Sequence, residues 1–305
     1  MLPRILRLSF TLAAEGPGTL PPYLGSLLRG ALGHALRRIG CGTSCASTHR
    51  DCPYGRLFEP FAGRRQPYLA GEPVAPRPYV IEPRSAGGDV DPGDPLIFDL
   101  LLIGSARELR AAVSAAVHDL APAGLGARRI PFRLVEAREI EPVTVPSPGA
   151  PASDRLTLRW VTPLRLMSGG RIQRKLALED LVDRAVQRQE ALAHLFGDAP
   201  APVPGGRERW RACARELRVE HSTLRWHDLH RYSHRQRRRH PLGGLVGKMR
   251  LRGDLAPLLG VLRGMETLHV GKGTTFGLGR LELSEGGSAR TPSSHEIPGR
   301  SAQRR

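Results

Sequence analysis

Lysine is almost missing from this chain: of 46 basic residues, only Lys175, Lys248 and Lys272 are lysines. The net charge of +17, set against 29 acidic residues, is therefore carried by arginine, and a GC-rich coding sequence would account for part of it. A surplus of this size still favours a polyanionic partner, either nucleic acid or an anionic membrane surface. Long apolar runs are absent too. No stretch approaches the roughly 20 residues that a membrane-spanning helix needs, so no membrane partner is expected. Arg4 to Ala14 has the position of a signal peptide but not its pattern. Leu6, Leu8, Phe10 and Leu12 alternate with Arg7, Ser9 and Thr11, which describes a half-buried strand. Cysteine is scarce, and three of the four crowd between positions 41 and 52. That is no secreted disulfide framework, and the expected location is cytoplasmic.

What is present is enough for two folded domains: 305 residues, 40% of them hydrophobic. After the first strand comes a turn-rich stretch and then a helix over about 23–39, with Leu24, Leu28, Ala31, Leu32, Ala35 and Ile39 on one stripe. A cysteine-bearing loop, 41–60, follows. Strands are predicted at Tyr79–Ile81 and over the nearly continuous apolar run Pro95–Ile103, a helix at Ala106–Leu120 and a strand at Phe132–Ile140. The order strand–helix–strand–strand–helix–strand is the ferredoxin-like pattern. Residues 141–153, rich in proline and small residues, read as a linker between a first domain, 1–140, and a second, 154–284.

The pattern then runs again. Leu156, Leu158 and Trp160 mark a strand, and a helix covers about 178–196, with acidic Glu179 and Asp180 in its first turn. A short helix near 207–217 reads as an insertion, strands fill 219–232 and 245–252, and Asp254 caps a helix running to Met265. A glycine-rich loop leads into a last strand, Leu278–Leu283. The halves echo each other where a helix runs through Gly-x-Gly into a strand, at Gly124–Leu134 and Gly271–Leu283, which suggests tandem related modules. The expected fold class is α+β, two ferredoxin-like (RRM-like) domains with a C-terminal glycine-rich loop. Residues 285–305, composed of Ser, Gly, Pro and Arg, read as a disordered tail.

Three segments carry chemistry. Gly271, Gly273, Gly277 and Gly279 leave room for close backbone approach to a phosphate, and Lys272 adds a point charge. A dinucleotide or P-loop reading fails, because this loop follows a helix and opens a strand. The stretch 225–240 is the densest basic segment, with Trp226 and Tyr232 interleaved, the composition of an RNA groove. Arg231, Arg235, Arg237, Arg238 and Arg239, with Lys248 beyond them, are candidate RNA contacts alongside Gly271, Lys272, Gly273, Gly277 and Gly279. Cys41, Cys45 and Cys52, with His49 between them, offer three sulfurs and one nitrogen to a structural zinc.

Together these residues resemble a known family. Leu28–His34 (LRGALGH), Cys52–Pro60 (CPYGRLFEP), Thr162–Gly170 (TPLRLMSGG), Arg231–Gln236 (RYSHRQ) and Leu268–Leu283 (LHVGKGTTFGLGRLEL) look like segments of the RAMP superfamily. More narrowly, they resemble the CRISPR-associated endoribonucleases that cut precursor CRISPR RNA within its repeats. The resemblance covers residues 1–283 and implies a metal-independent reaction with no catalytic cofactor. A base deprotonates a ribose 2′-OH, which attacks the adjacent phosphate and leaves a 2′,3′-cyclic phosphate and a 5′-OH. It implies His34 as the base; Tyr23 and Lys272 are candidates for the acid and the charge stabiliser, and His269, just before the glycine loop, is a reserve base. At helical spacing Tyr23, Leu27, Gly30 and His34 share one edge of the apolar stripe. The implied partners are CRISPR repeat RNA, the mature crRNA and other Cas effector subunits. One alternative is a non-catalytic RAMP subunit holding guide RNA in an effector complex. A second is a zinc-containing nucleic-acid-binding protein outside CRISPR systems.

Overall fold

The computed structural model of the chain describes residues 2–41, 45, 51–60, 75–140, 153–203, 205–233 and 238–285; for 231–233 and 238–240 it describes the backbone alone. His49, Arg235, Arg237, nearly all of the expected linker and the expected tail after Glu285 fall outside these residues.

The first half runs β1 (Ile5–Ala14), α1 (Gly25–Gly40), α2 (Pro53–Phe58), β2 (Tyr79–Pro83), β3 (Pro95–Ile103), α3 (Arg110–Ala123) and β4 (Phe132–Ile140). Its antiparallel sheet has the order β2-β3-β1-β4. The even residues of β1 (Leu6, Leu8, Phe10 and Leu12) enter a core with Leu28, Leu32 and Leu36 of α1 and Val113 and Val117 of α3. The second half runs β5 (Arg155–Leu164), α4 (Leu178–Phe196), α5 (Glu208–Glu216), β6 (Arg218–Ser222), β7 (Arg225–His227), β8 (His230–Ser233), β9 (Arg238–Pro241), β10 (Gly244–Arg252), α6 (Leu259–Leu268) and β11 (Leu281–Glu285). Its main sheet is ordered β6-β10-β5-β11, the same second–third–first–fourth sequence, with β7 also on β10. Both halves are ferredoxin-like.

Three elements differ from expectation for local reasons. The cysteine loop contains α2, opened by Cys52, whose Sγ accepts from the Gly55 amide, and by Pro53 in its first turn. The expected strand 219–232 is broken into β6, β7 and β8. Asp254 accepts from the Ala256 amide at 3.1 Å and so caps a turn, while α6 begins only at Leu259. Among the described residues no helix is long and apolar enough to cross a membrane.

The run Pro95–Ile103 is apolar on both faces because both are covered. Phe98, Leu100 and Leu102 point into the first core; Leu101 and Ile103 join Ile5 and Val80 against Leu192 of α4 and Leu268 of α6. This second cluster packs the N-terminal sheet onto the C-terminal half. Along the same face the pattern turns ionic. Glu82 and Asp99 lie directly opposite each other on β2 and β3, a pairing of like charges that destabilises a sheet. Arg7 relieves it by donating to Glu82 at 2.7 Å and Asp99 at 2.8 Å, and Arg84 reaches Asp99 at 3.1 Å. The fourth member, His269, comes from the other half, immediately after α6. Its Nε2 lies 2.8 Å from Glu82 Oε1.

Burial alone would raise the Glu82 carboxyl, but the hydrogen bond and charge of His269, then the charges of Arg7 and Arg280, hold it well below the usual carboxylate range. Its contribution to stability is therefore complete above its ordinary value of 4.5 and is lost as pH falls through the lower folded value. Glu82→Gln is expected to lose on the order of 3 kcal/mol at neutral pH, as for one partner of a buried pair. Urea unfolding of both proteins, repeated toward acid pH, should show the gap narrowing. A gap independent of pH would mean that Glu82 is not ionised in the folded protein.

Candidate nucleic-acid interface and active site

The basic hairpin, the glycine-rich loop and the start of α1 meet in one small cluster. Leu229 and Leu242, at the base of the β8–β9 hairpin, pack on Leu278 of the loop, with Tyr23 and Phe276 against them. The Leu242 amide donates to the Leu229 carbonyl at 2.6 Å, which continues the hairpin ladder into this cluster. Arg231, Arg238 and Arg239 lie on the hairpin strands, so they extend from that base. Lys248 is placed elsewhere, exposed in mid-β10 opposite Arg159.

The loop departs from the expected phosphate cradle. Gly271, Gly273, Gly277 and Gly279 all have positive φ, as the expected backbone freedom requires. What they approach, however, is the protein itself. A Cβ on Gly279 would lie 1.9 Å from the Val270 carbonyl oxygen, and one on Gly277 would lie 2.5 Å from that of Ile81 in β2. Both glycines are buried and face the protein's own backbone. The amides are largely committed as well: Lys272 donates to Arg165, Phe276 and Leu278 to Gly273, Gly277 to Thr274 and Gly279 to Pro163. Among the described residues, only the amides of Gly271, Gly273, Thr274 and Thr275 in this loop lack a backbone acceptor. The loop is a brace between the halves, and its exposed charged side chain is Lys272.

Tyr23 is engaged rather than poised. Its hydroxyl donates to the Phe276 carbonyl at 2.5 Å, and burial pushes it well above the ordinary phenol value, outweighing the opposing charge of Arg280. A phenol held this way is a poor proton donor to RNA. His34 is exposed on α1, and the helix turns it farther out than the stripe suggested, because Gly33 and Leu36 are also buried. At about 1.5 Å per residue, His34 stands roughly 14 Å up the helix from Gly25, where α1 touches the loop. The structure therefore does not bring His34 and the loop together; an RNA strand would have to span them.

His269 cannot serve as the reserve base. It is 1% exposed, and both ring nitrogens face acceptors: Nδ1 the Leu278 carbonyl at 3.2 Å, Nε2 the Glu82 carboxylate. Both nitrogens are engaged within the protein, and neither is open to RNA. Sequence reasoning had assigned no role to Arg29 or Arg165. The Arg29 guanidinium lies 4.9 Å from the Phe58 ring centre and 5.3 Å from that of Phe276. Arg165, within the TPLRLMSGG segment, donates to the Gly243 carbonyl, and burial lowers it from its ordinary value. Both brace the same junction, and only their charge in a glycine- and aromatic-rich setting could have marked them.

The thiols of Cys41, Cys45 and Cys52 converge, with their sulfurs all within 4.8 Å of one another. Cys41 Sγ and Cys52 Sγ are 3.6 Å apart. Burial, then the contacts with Cys52 and Cys45, push the Cys41 thiol up to about 11.

Residues 158–281 match the family model of the CRISPR-associated endoribonuclease Cas6. The C-terminal half of the chain therefore carries a Cas6-type endoribonuclease domain. Residues 2–154 match a second family model, described as an N-terminal domain. No curated protein sequence matches. Among solved structures, a Cas6 (TTHB231) product complex superposes with a TM-score of 0.59 at 18% identity, covering 92% of this chain and 99% of that one. Thermus thermophilus Cas6 (TTHB231) gives 0.54 at 16%, covering 93% and 100%. A partial Cas6-RT-Cas1–Cas2 complex gives 0.62 at 15%, covering 95% of this chain and 48% of the larger one. At such identities the structural likeness establishes the tandem ferredoxin-like fold, and the Cas6 family model supplies the endoribonuclease assignment.

The contact between α1 and the loop leaves no room for a side chain. A Cβ on Gly25 would fall 1.8 Å from the Phe276 carbonyl oxygen, whereas one on Gly30 meets nothing within 4 Å. Gly25→Ala is expected to destabilise by about 1–3 kcal/mol, and Gly30→Ala to stabilise by about 0.5–1 kcal/mol. Chemical denaturation of the two variants checks the difference.

Proposed function

We propose that this Cas6-family chain cuts the repeats of precursor CRISPR RNA by metal-independent attack of a ribose 2′-OH on the adjacent phosphate. The products are a 2′,3′-cyclic phosphate and a 5′-OH. The observation that carries this reading is the shared cluster of Leu229, Leu242, Leu278, Tyr23 and Phe276. It fixes a basic hairpin and a lysine-bearing loop from one half against the helix that carries His34 in the other. His34 is the general base: it is exposed, and among the described residues no hydrogen bond occupies its ring. The hairpin arginines and Lys272 hold phosphates, and Tyr23 positions the loop. The RNA is the partner that this arrangement fits. One neighbour is a Cas6 (TTHA0078) product complex, and another Cas6 (TTHA0078) structure is of a histidine-to-alanine mutant, which directs attention to a histidine.

Incubating the protein with its cognate repeat RNA in EDTA tests the reading, beside an RNA carrying one 2′-deoxy sugar at the cut site. Cleavage of the first RNA alone is expected, and His34→Ala should lower the rate by about 10²–10⁴-fold, the usual contribution of a general base. Undiminished cleavage by His34→Ala would move the base elsewhere, and cleavage of the 2′-deoxy RNA would exclude the 2′-OH mechanism.

Cys41, Cys45 and Cys52 fit three positions of a structural zinc. Sulfurs about 2.3 Å from a tetrahedral zinc lie about 3.8 Å apart, close to the separation of Cys41 and Cys52. The Gly55 amide already donates to Cys52 Sγ, as an outer-sphere partner does. His49, the expected fourth ligand, lies outside the described residues. Zinc bound here supplies folding free energy to the α1–α2 connection and takes no part in cleavage. The expected content is about one zinc per chain by elemental analysis, lost together with thermal stability in Cys52→Ser. Metal-free protein with thiols that titrate readily would exclude the site.

A further inference from the structure

His269 occupies a backbone conformation that its side chain makes costly. Its φ of 57° and ψ of 170° fall in a region populated essentially by glycine. Three of the four glycines that follow, Gly271, Gly273 and Gly277, also take φ values between 83° and 90°. A glycine at 269 would relieve the strain, yet the position holds an imidazole in full burial. The ring spans the two halves of the protein. On one side it donates to Leu278, the residue of the glycine-rich loop that packs under the basic hairpin. On the other it meets Glu82 of β2, which Arg7 also binds. Tyr23 holds the same loop at Phe276 from the start of α1. The loop is thus tied to the N-terminal half at two points, one polar contact to each element flanking the candidate site.

We propose that the Glu82–His269 pair is a positioning device for RNA cleavage, holding the glycine-rich loop and its hairpin in register with the helix that bears His34. The inference rests on the proposed cleavage of repeat RNA. Its logic is geometric. RNA gripped by the C-terminal half must present its 2′-OH to a base on the N-terminal half, and a misplacement of about 1 Å can cost about 10²-fold in rate. An apolar junction alone, such as Val80, Leu101, Leu192 and Leu268, resists separation but tolerates sliding. A directed pair of hydrogen bonds from one ring to both halves fixes the register.

The test uses the full chain with His269→Gly, which keeps the backbone conformation available and leaves Glu82 paired with Arg7. Under single-turnover conditions, RNA affinity is expected to stay within about 3-fold of wild type, while the cleavage rate falls at least about 10-fold. The pH–rate profile should keep its shape, since a positioning residue exchanges no proton with the RNA. Glu82→Gln, breaking the pair from the other side, should give the same split between binding and rate. A folded His269→Gly protein that cuts at the wild-type rate overturns the proposal, as does a profile that loses a limb, which would make His269 catalytic. Should His269→Gly fail to fold, Glu82→Gln decides by the same criteria. If the wild-type protein does not cut repeat RNA, the proposed function fails. If wild type and variants cut alike, only the positioning role fails.

Discussion

The seam between the two domains is organised around one carboxylate, Glu82, buried where they meet. A lone buried carboxylate would be protonated or would unfold the sheet that carries it. Glu82 avoids both outcomes by drawing one cation from its own domain, Arg7, and one hydrogen-bonding ring from the other, His269. Asp99 makes the arrangement more demanding, since it sits opposite Glu82 and must share Arg7. The sheet face that pairs these groups is apolar at one end and ionic at the other. The apolar end supplies adhesion between the domains, and the ionic end selects one relative placement.

The glycine-rich loop gains a different meaning in this setting. Four glycines beside a lysine suggest a nest of amides for an anion, but most of those amides are committed to carbonyls of the protein. Gly277 and Gly279 are small because Ile81 and Val270 are close. The glycines allow the chain to pass through the seam between the domains without prising them apart. The exposed charge of the loop is that of Lys272, and the arginines proposed to hold RNA lie outside it.

Much of the architecture was legible in the sequence, because it follows from periodicity. The alternation in β1, the apolar stripe of α1 and the matching Gly-x-Gly passages in the two halves each correspond to an observed element. The departures arise where a local signal was outvoted. Cys52 and Pro53 announce the start of α2, yet three cysteines in twelve residues read as a loop. His34 read as a boundary residue because the stripe was drawn without Gly33 and Leu36. The largest miss, the role of His269, depends on a partner 187 residues away. No pattern within the last helix and loop could reveal that Glu82, and not a substrate, is what the ring faces.

The proposed division between grip and chemistry follows from these distances. His34 stands on a helix whose other end is clamped to the loop, so in the proposed mechanism that clamp sets the spacing between the base and the phosphate-holding groups. Tyr23 and Gly25 close it at the helix, and the His269 ring closes it at the strand. The strain in the His269 backbone is tolerated because the ring makes two contacts that no glycine could replace. A strained residue at a domain seam, far from any accessible lone pair, makes better physical sense as a register pin than as a base. On that view catalysis here is a problem of alignment between two copies of one fold. In the proposed reaction the exposed histidine does the proton chemistry, and the proposed task of the buried one is to set where the RNA lies when it happens.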